Sequence, residues 1–382
     1  MRPGRAPTVP LAPGAGVWRD GDPEGERRWV HLEEPLRLEN GSVLPGVRIA
    51  YQTWGRPAPA RDNAVLVLHA LTGDAHIAGE AGPGHPSPGW WDGLVGPGRA
   101  LDTDRWFVVA PNVLGGCQGT TGPASLAPDG RPWGARFPRA TLRDSVRAES
   151  ALADALGVPA WAAVIGGSMG GMRALEWALT FPGRVERALV LACPAATTGR
   201  QIAWAAPQLH AIRSDPNWQG GGYHGSGRTP AAGLGIARRI AHLTYRSDGE
   251  LDTRFGNLPQ DGEDPADGGR YAVESYLDHQ ADKLVHRFDP AGYVLLTEAM
   301  NAHDIGRGRG GTARALRSLP RRTLVGGVDS DRIYPLGFQE EIARGLPVPG
   351  PARVISSPHG HDGFLVAVEQ VAALVDELLH AP

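Results

Sequence analysis

The sequence predicts an α/β fold in which a mainly parallel sheet is divided by a helical insertion. Three observations carry that prediction. Short, unbroken apolar runs rich in β-branched residues recur toward both ends of the chain and alternate with longer amphipathic patterns. Between residues 196 and 318 no convincing run of that kind occurs, only helical patterns and polar loops. The motif Gly166-Gly167-Ser168-Met169-Gly170 stands where one apolar run gives way to a helical pattern.

Taken in order, residues 1–28 are rich in Pro, Gly and Arg and lack the apolar stretch of a secretion signal, so a flexible N-terminal arm is expected there. The strand candidates are Ala64 to His69, Trp106 to Ala110, Ala162 to Gly166 and Ala188 to Ala192, followed after a long gap by Thr323 to Val325 and Arg353 to Ser356. Continuous apolar character suits strands covered on both faces, as in a parallel sheet between helical layers. The patterns Thr141 to Leu156 and Met169 to Phe181 supply crossover helices of βαβ units. In the middle stretch, Ala231 to Tyr245 and Ala272 to Val285 have helical spacing, and a Gly/Asp-rich loop (259–269) and a Gly/Arg-rich loop (306–311) interrupt it. Val368, Val371, Ala372, Val375, Leu378 and Leu379 give the last helix one apolar face. The domain reading is therefore an arm over 1–28, a core made of 29–195 and 319–382, and a helical lid over 196–318.

Composition narrows the function classes. The chain has 382 residues, 41% of them hydrophobic and 21% charged, which is a globular profile. A formal net charge of −3 and the lack of a basic tract give no field for nucleic acid or anionic lipid. The only cysteines, Cys117 and Cys193, cannot organise a disulfide framework, and a reducing cytoplasm is the expected setting. Both read as small buried residues rather than reactive thiols. No apolar run approaches the ~18 residues a membrane helix needs. No bound metal or cofactor is expected.

Chemistry enters through Ser168. A G-x-S-x-G turn between strand and helix forces the serine into a sharp corner, and only small neighbours fit there. The first amides of the following helix favour an oxyanion at the same place. The turn resembles the nucleophile turn of the α/β-hydrolase fold, whose chain order is serine, then acid, then histidine; the competing reading is a structural turn or phosphate-binding loop. A serine hydroxyl needs a base, and the base needs an orienting acid. His361, in a glycine-flanked loop after the Arg353 to Ser356 run, suits the base; His359 is the alternative, and His380 lies too near the terminus. For the acid, Asp329 and Asp331 both follow the Thr323 to Val325 run, and layout does not separate them. The backbone amides of Leu71 and Met169 are the expected oxyanion donors. His69 precedes the serine, breaks the expected order and reads as a buried structural histidine.

The segments His69 to Gly73, Pro111 to Cys117, Gly119 to Pro123, Gly166 to Gly170, Ser330 to Pro335 and Gly360 to Phe364 occur in this order. Together they resemble the homoserine O-acetyltransferases of the α/β-hydrolase type, from about Val43 to the C-terminus. The resemblance implies Ser168 as nucleophile, Asp331 as acid and His361 as base. It implies Arg238 for the homoserine carboxylate, with Arg239 an equally placed alternative, and Asp362 for the ammonium. It further implies acetyl-CoA as co-substrate, a ping-pong route, a role in methionine biosynthesis and a homodimer paired through the lid. The Gly115-Gly116-Cys117 segment resembles the acetyl-using rather than the succinyl-using type. The loop Arg307-Gly308-Arg309-Gly310 reads either as a contact for CoA phosphates or as a solvated loop. An esterase or thioesterase with the same triad, serine as acceptor, and a non-catalytic binding protein of the same fold are the competing readings.

Overall fold

The computed structural model describes residue 14 and residues 16–380. Among them, eight strands form the main sheet: β1 (Arg28–His31), β2 (Arg48–Trp54), β3 (Ala64–Leu68), β4 (Phe107–Pro111), β5 (Ala163–Gly167), β6 (Arg187–Leu191), β7 (Arg322–Val328) and β8 (Arg353–Ile355). Their spatial order is β1-β2-β4-β3-β5-β6-β7-β8. The pairs β1–β2 and β2–β4 are antiparallel, and every other neighbouring pair is parallel. The sequence reading missed β1 and β2, which end the sheet on its antiparallel side; β1 has no buried residue and so no unbroken apolar run.

Strands β3, β4 and β5 are buried along their whole length, and successive side chains serve opposite faces. Leu66, Leu68, Val109 and Val164 join one core cluster, whereas Val65, Val67, Val108 and Ile165 join another. The first cluster also takes Val146 and Leu152 from α1 (Leu142–Ala155) and Met172 and Leu175 from α2 (Met169–Thr180). Thr141 caps α1, accepting from the Asp144 amide while the Asp144 carboxylate accepts from the Thr141 amide.

Between β6 and β7 run α3 (Gly199–Ser214), α4 (Ala231–Tyr245), α5 (Asp248–Phe255), α6 (Ala272–Arg287), α7 (Pro290–Asn301) and α8 (Thr312–Leu316). Helix α4 packs between α3 and α6. Leu209, Leu234, Ala237, Leu284 and Tyr293 from this segment belong to the same core cluster as the sheet, so it shares the sheet's core instead of building its own. After β7 come α9 (Gly337–Gly345), α10 (Gly363–Val366) and α11 (Val368–His380). Val371, Leu374, Val375, Leu378 and Leu379 of α11 cover the second face.

The arm expected over 1–28 needs correction. Residues 1–13 and 15 lie outside the described residues. The rest is docked: the Gly16 amide donates to the His286 carbonyl at 2.6 Å, the Trp18 amide donates to the Cys117 carbonyl at 3.0 Å, and Val17 and Arg27 are buried. Backbone hydrogen bonds hold this segment, and composition does not report them.

Candidate active site

The register brings the carboxyl ends of the parallel strands level. Leu68 pairs with Gly166, Leu191 with both Gly167 and Gly326, and Val328 with Ile355. Ligand sites of open parallel sheets form at this edge, because the loops that follow the strands gather there. Leu71 follows β3, Ser168 follows β5 directly, Asp331 follows β7 and His361 follows β8.

Ser168 has φ 57° and ψ −124°, a left-handed conformation rare for a residue with a side chain. The turn closes because its flanking residues are glycines. A Cβ on Gly166 would stand 2.2 Å from the Gly170 carbonyl oxygen, and one on Gly170 would stand 2.0 Å from that of Leu68. The strained backbone holds the hydroxyl at the head of α2.

Three side chains far apart in the chain meet there. His361 Nε2 lies 2.9 Å from Ser168 Oγ, and His361 Nδ1 lies 2.6 Å from Asp331 Oδ2. The second Asp331 oxygen accepts the amides of Ile333 and Tyr334, each at 2.9 Å, which fixes the carboxylate. All three residues are buried, and the rings of Tyr245, Tyr334 and Phe364 surround the imidazole. Burial disfavours the imidazolium, yet the charge and hydrogen bond of Asp331 and the charge of Asp362 outweigh it, so the His361 pKa is raised.

The alternatives occupy other places. Asp329 accepts from Ser356 Oγ at 2.8 Å and from the Ser357 amide at 3.1 Å, tying the end of β7 to that of β8. His359 is half-buried, and its Nδ1 faces Glu250 Oε1 at 3.3 Å. His69 donates from Nδ1 to the Ala70 carbonyl and accepts the Val113 amide on Nε2, and burial, with Arg173 adding to it, pushes its pKa down to about 3. It is a neutral structural group.

Ser168 and His361 open into a cavity of about 210 Å³ that Leu71, Arg238, Tyr245, Arg287 and Asp362 also line. The Leu71 and Met169 amides have no hydrogen-bond partner among the described residues, and Met169 heads α2, where helix amides have none of their own. Arg238 Nε and Nη1 are buried without a partner among the described residues, and its guanidinium stands 5.6 Å from the Tyr245 ring centroid. Arg239 points elsewhere and pairs with Asp278 at 2.6 Å. Asp362 Oδ2 lies 3.3 Å from Arg246 Nη2. A larger cavity of about 550 Å³ near Trp18, Arg48 and Tyr223 holds no paired nucleophile and base.

Sequence reasoning missed Arg287, which donates to the Thr72 carbonyl and lies 3.9 Å from Asp74 Oδ2, and it missed Tyr245 and Arg246. Tyr245 had a signal, standing seven residues beyond Arg238 on the same face of a helix. In the Arg307–Arg309 loop, Arg307, Gly308 and Gly310 are exposed, as a solvated loop would be, and both arginines are paired. Arg309 donates to Glu176 at 2.8 Å and to Thr180 at 2.9 Å, Arg307 donates to Glu39, and Arg143 donates to the Arg307 carbonyl. This loop braces the far end of α2, roughly 18 Å along the helix from Ser168.

A strained serine on a strand-to-helix turn, bonded to a histidine and through it to an aspartate, defines the α/β-hydrolase class. Residues 63–368 match the alpha/beta hydrolase fold family. The chain is 66% identical to a homoserine O-acetyltransferase from Thermobifida fusca over 97% of this chain and 98% of the relative. Among solved structures it is similar to a homoserine O-acetyltransferase from Bacillus anthracis, with TM-score 0.84, 26% identity and coverage of 92% and 97%. It is equally similar to esterase E22, with TM-score 0.84, 26% identity and coverage of 93% and 99%. The chain belongs to the homoserine O-acetyltransferase family within the α/β hydrolases.

Proposed function

We propose that this chain transfers the acetyl group of acetyl-CoA to the hydroxyl of L-homoserine, through an acetyl group carried on Ser168. One observation carries the reading: the cavity that holds the Ser168–His361–Asp331 chain also holds an unpartnered guanidinium, Arg238, and a carboxylate, Asp362. That combination suits a zwitterionic amino acid, since a guanidinium binds a carboxylate through two parallel bonds and a carboxylate receives an ammonium.

His361 takes the Ser168 proton as Oγ attacks the thioester carbonyl, and the Leu71 and Met169 amides receive the developing oxyanion. Asp331 holds Nδ1 protonated and stabilises the imidazolium. The C–S bond breaks, His361 returns the proton to the CoA thiolate, and acetyl-Ser168 remains. The homoserine hydroxyl then gives its proton to His361 and attacks the acetyl carbon. The second tetrahedral adduct collapses, and its leaving Ser168 oxygen recovers the proton. Arg238 and Asp362 hold the acceptor hydroxyl in place, and effective molarities of about 10⁵ M or more let a positioned hydroxyl outrun water.

Charge supports acetyl rather than succinyl transfer. A succinyl carboxylate calls for its own cation, and beside Arg238 the cavity offers Arg287, already engaged with the Thr72 carbonyl and near Asp74. The reading includes a cytoplasmic place in methionine biosynthesis. It also includes a homodimer through the insertion, where Ile202, Ile236, Leu243 and Leu258 are exposed. Among the described residues no helix is long and apolar enough to cross a membrane.

The likeness to esterase E22 favours hydrolysis as the second reading. Incubation with acetyl-CoA, with and without homoserine, separates the two. Transfer requires CoA release that depends on homoserine and yields O-acetylhomoserine. Release at the same rate without acceptor, with acetate as product, sinks it.

A further inference from the structure

The acyl-transfer chemistry leaves without a role one half-buried cation beside the cavity. Arg246 follows the last residue of α4, and its side chain is 17% exposed. Its Nη2 stands 3.3 Å from Asp362 Oδ2, and its Nη1 donates to Glu250 Oε1 at 3.1 Å. Burial works against the guanidinium charge, but Asp362, Tyr276 and Glu250 outweigh it and its pKa is raised.

Around this ion pair the corner between α4 and α5 presses on the loop that carries His361. Gly360 has φ +62°, and a Cβ there would stand 2.4 Å from the Tyr245 carbonyl oxygen and 2.7 Å from the Ser247 nitrogen. The Ser247 hydroxyl donates to the Pro358 carbonyl. Arg332 reaches across from the acid loop and donates to the Leu243 carbonyl at 3.2 Å. Both loops that follow β7 and β8 therefore rest on the end of a single helix.

We infer that Arg246 is a positioning residue for the acyl acceptor: it fixes the Asp362 carboxylate at the cavity wall, while Gly360 and the Ser247 hydroxyl seat the 358–362 loop, with His361, on the helix that presents Arg238. The spacing explains why such a residue is needed. Arg238 lies on α4 about two turns before Arg246, the residue that ends the helix. One rigid element thus sets the distance between the group awaiting the acceptor carboxylate, directly, and the group awaiting its ammonium, through Arg246. Asp362 has glycines on both sides of its short segment, Gly360 and Gly363, and without Arg246 only local backbone would hold its side chain. The first half-reaction needs Ser168, His361 and Asp331 but no acceptor site, so Arg246 acts on the second half-reaction. The inference rests on the acyl-transfer reading and adds the device that aligns its acceptor.

Arg246→Gln and Arg246→Lys test it, with p-nitrophenyl acetate as acyl donor to isolate acylation from acceptor-dependent deacylation. In Arg246→Gln the acylation burst slows about threefold at most, while the homoserine KM for deacylation rises about tenfold or more. Arg246→Lys recovers part of that loss. In an Asp362→Asn background, Arg246→Gln adds little further, because the residue it positions is already lost. An unchanged homoserine KM, equal losses in both half-reactions of the well-folded Arg246→Lys variant, or full additivity with Asp362→Asn overturns the inference alone. Wild-type deacylation that ignores homoserine overturns the transfer reading itself, and this inference with it.

Discussion

Arg238→Met removes the guanidinium that faces the cavity and leaves an unbranched side chain on α4. Nε and Nη1 of Arg238 are buried without partners among the described residues. Each such donor carries a desolvation cost of about 1–3 kcal/mol, which the substitution relieves. Against that stands the lost attraction to the Tyr245 ring, worth about 0.5–2 kcal/mol, so for the two donors together the balance is a gain of about 3 kcal/mol in stability. For a chain of 382 residues with an unfolding entropy of about 2.1 cal/mol/K per residue, Tm rises by about 4 °C, and the denaturant midpoint rises with it. Activity moves the other way. Losing two charge-assisted bonds to the acceptor carboxylate costs about 3 kcal/mol, or about 150-fold in kcat/KM for homoserine. CoA release followed by thiol titration, as a function of homoserine concentration, reads this directly. The reasoning fails if the acceptor kinetics are unchanged, or if the variant loses several kcal/mol of stability and activity falls only with folding.

Asp331→Asn keeps the shape of the triad but no longer holds His361 in its working tautomer, so kcat falls by about 10⁴-fold with acetyl-CoA affinity kept; a loss under tenfold counts against Asp331. Because the His361 pKa is raised, the free enzyme stays protonated above the usual imidazole range, and the acylation rate climbs with pH through that raised value. Asp362→Asn removes one of the raising charges and moves this limb to lower pH; a shift to higher pH contradicts the electrostatic account. The same raised pKa adds stability that is fully present below the unfolded-state value and is lost as pH rises through the folded one. Arg309→Ala leaves the KM for acetyl-CoA unchanged and lowers the denaturant midpoint, since Arg309 pairs with buried Glu176; a raised KM at full stability restores the phosphate-contact expectation.

The legible parts of this molecule share a physical reason. Strands β3 to β6 and helices α1, α2 and α4 bury whole faces, so their apolar patterns survive in the sequence within a residue or two. Edge strand β1 is half-exposed and leaves no such trace. In the site, the nucleophile turn is legible because Gly166 and Gly170 are demanded by contacts under 2.5 Å. The choice between Asp329 and Asp331 is not: two residues apart at one strand end, they differ only in which loop they reach, Ser356 and Ser357 or His361. Arg238 and Arg239 are likewise neighbours, and the rotation of α4 against α6 decides between them, with Asp278 claiming Arg239. Arg287 and Asp74 enter the cavity through packing between segments distant in sequence, which no local pattern records.

The central claim is a covalent bond on one oxygen. Wild-type protein mixed with acetyl-CoA in the absence of homoserine, quenched in acid and digested, should yield the peptide containing Ser168 with one added acetyl group. A chase with homoserine should remove that group and release O-acetylhomoserine. Product formation while the Ser168 peptide stays unmodified at every quench time would contradict the account.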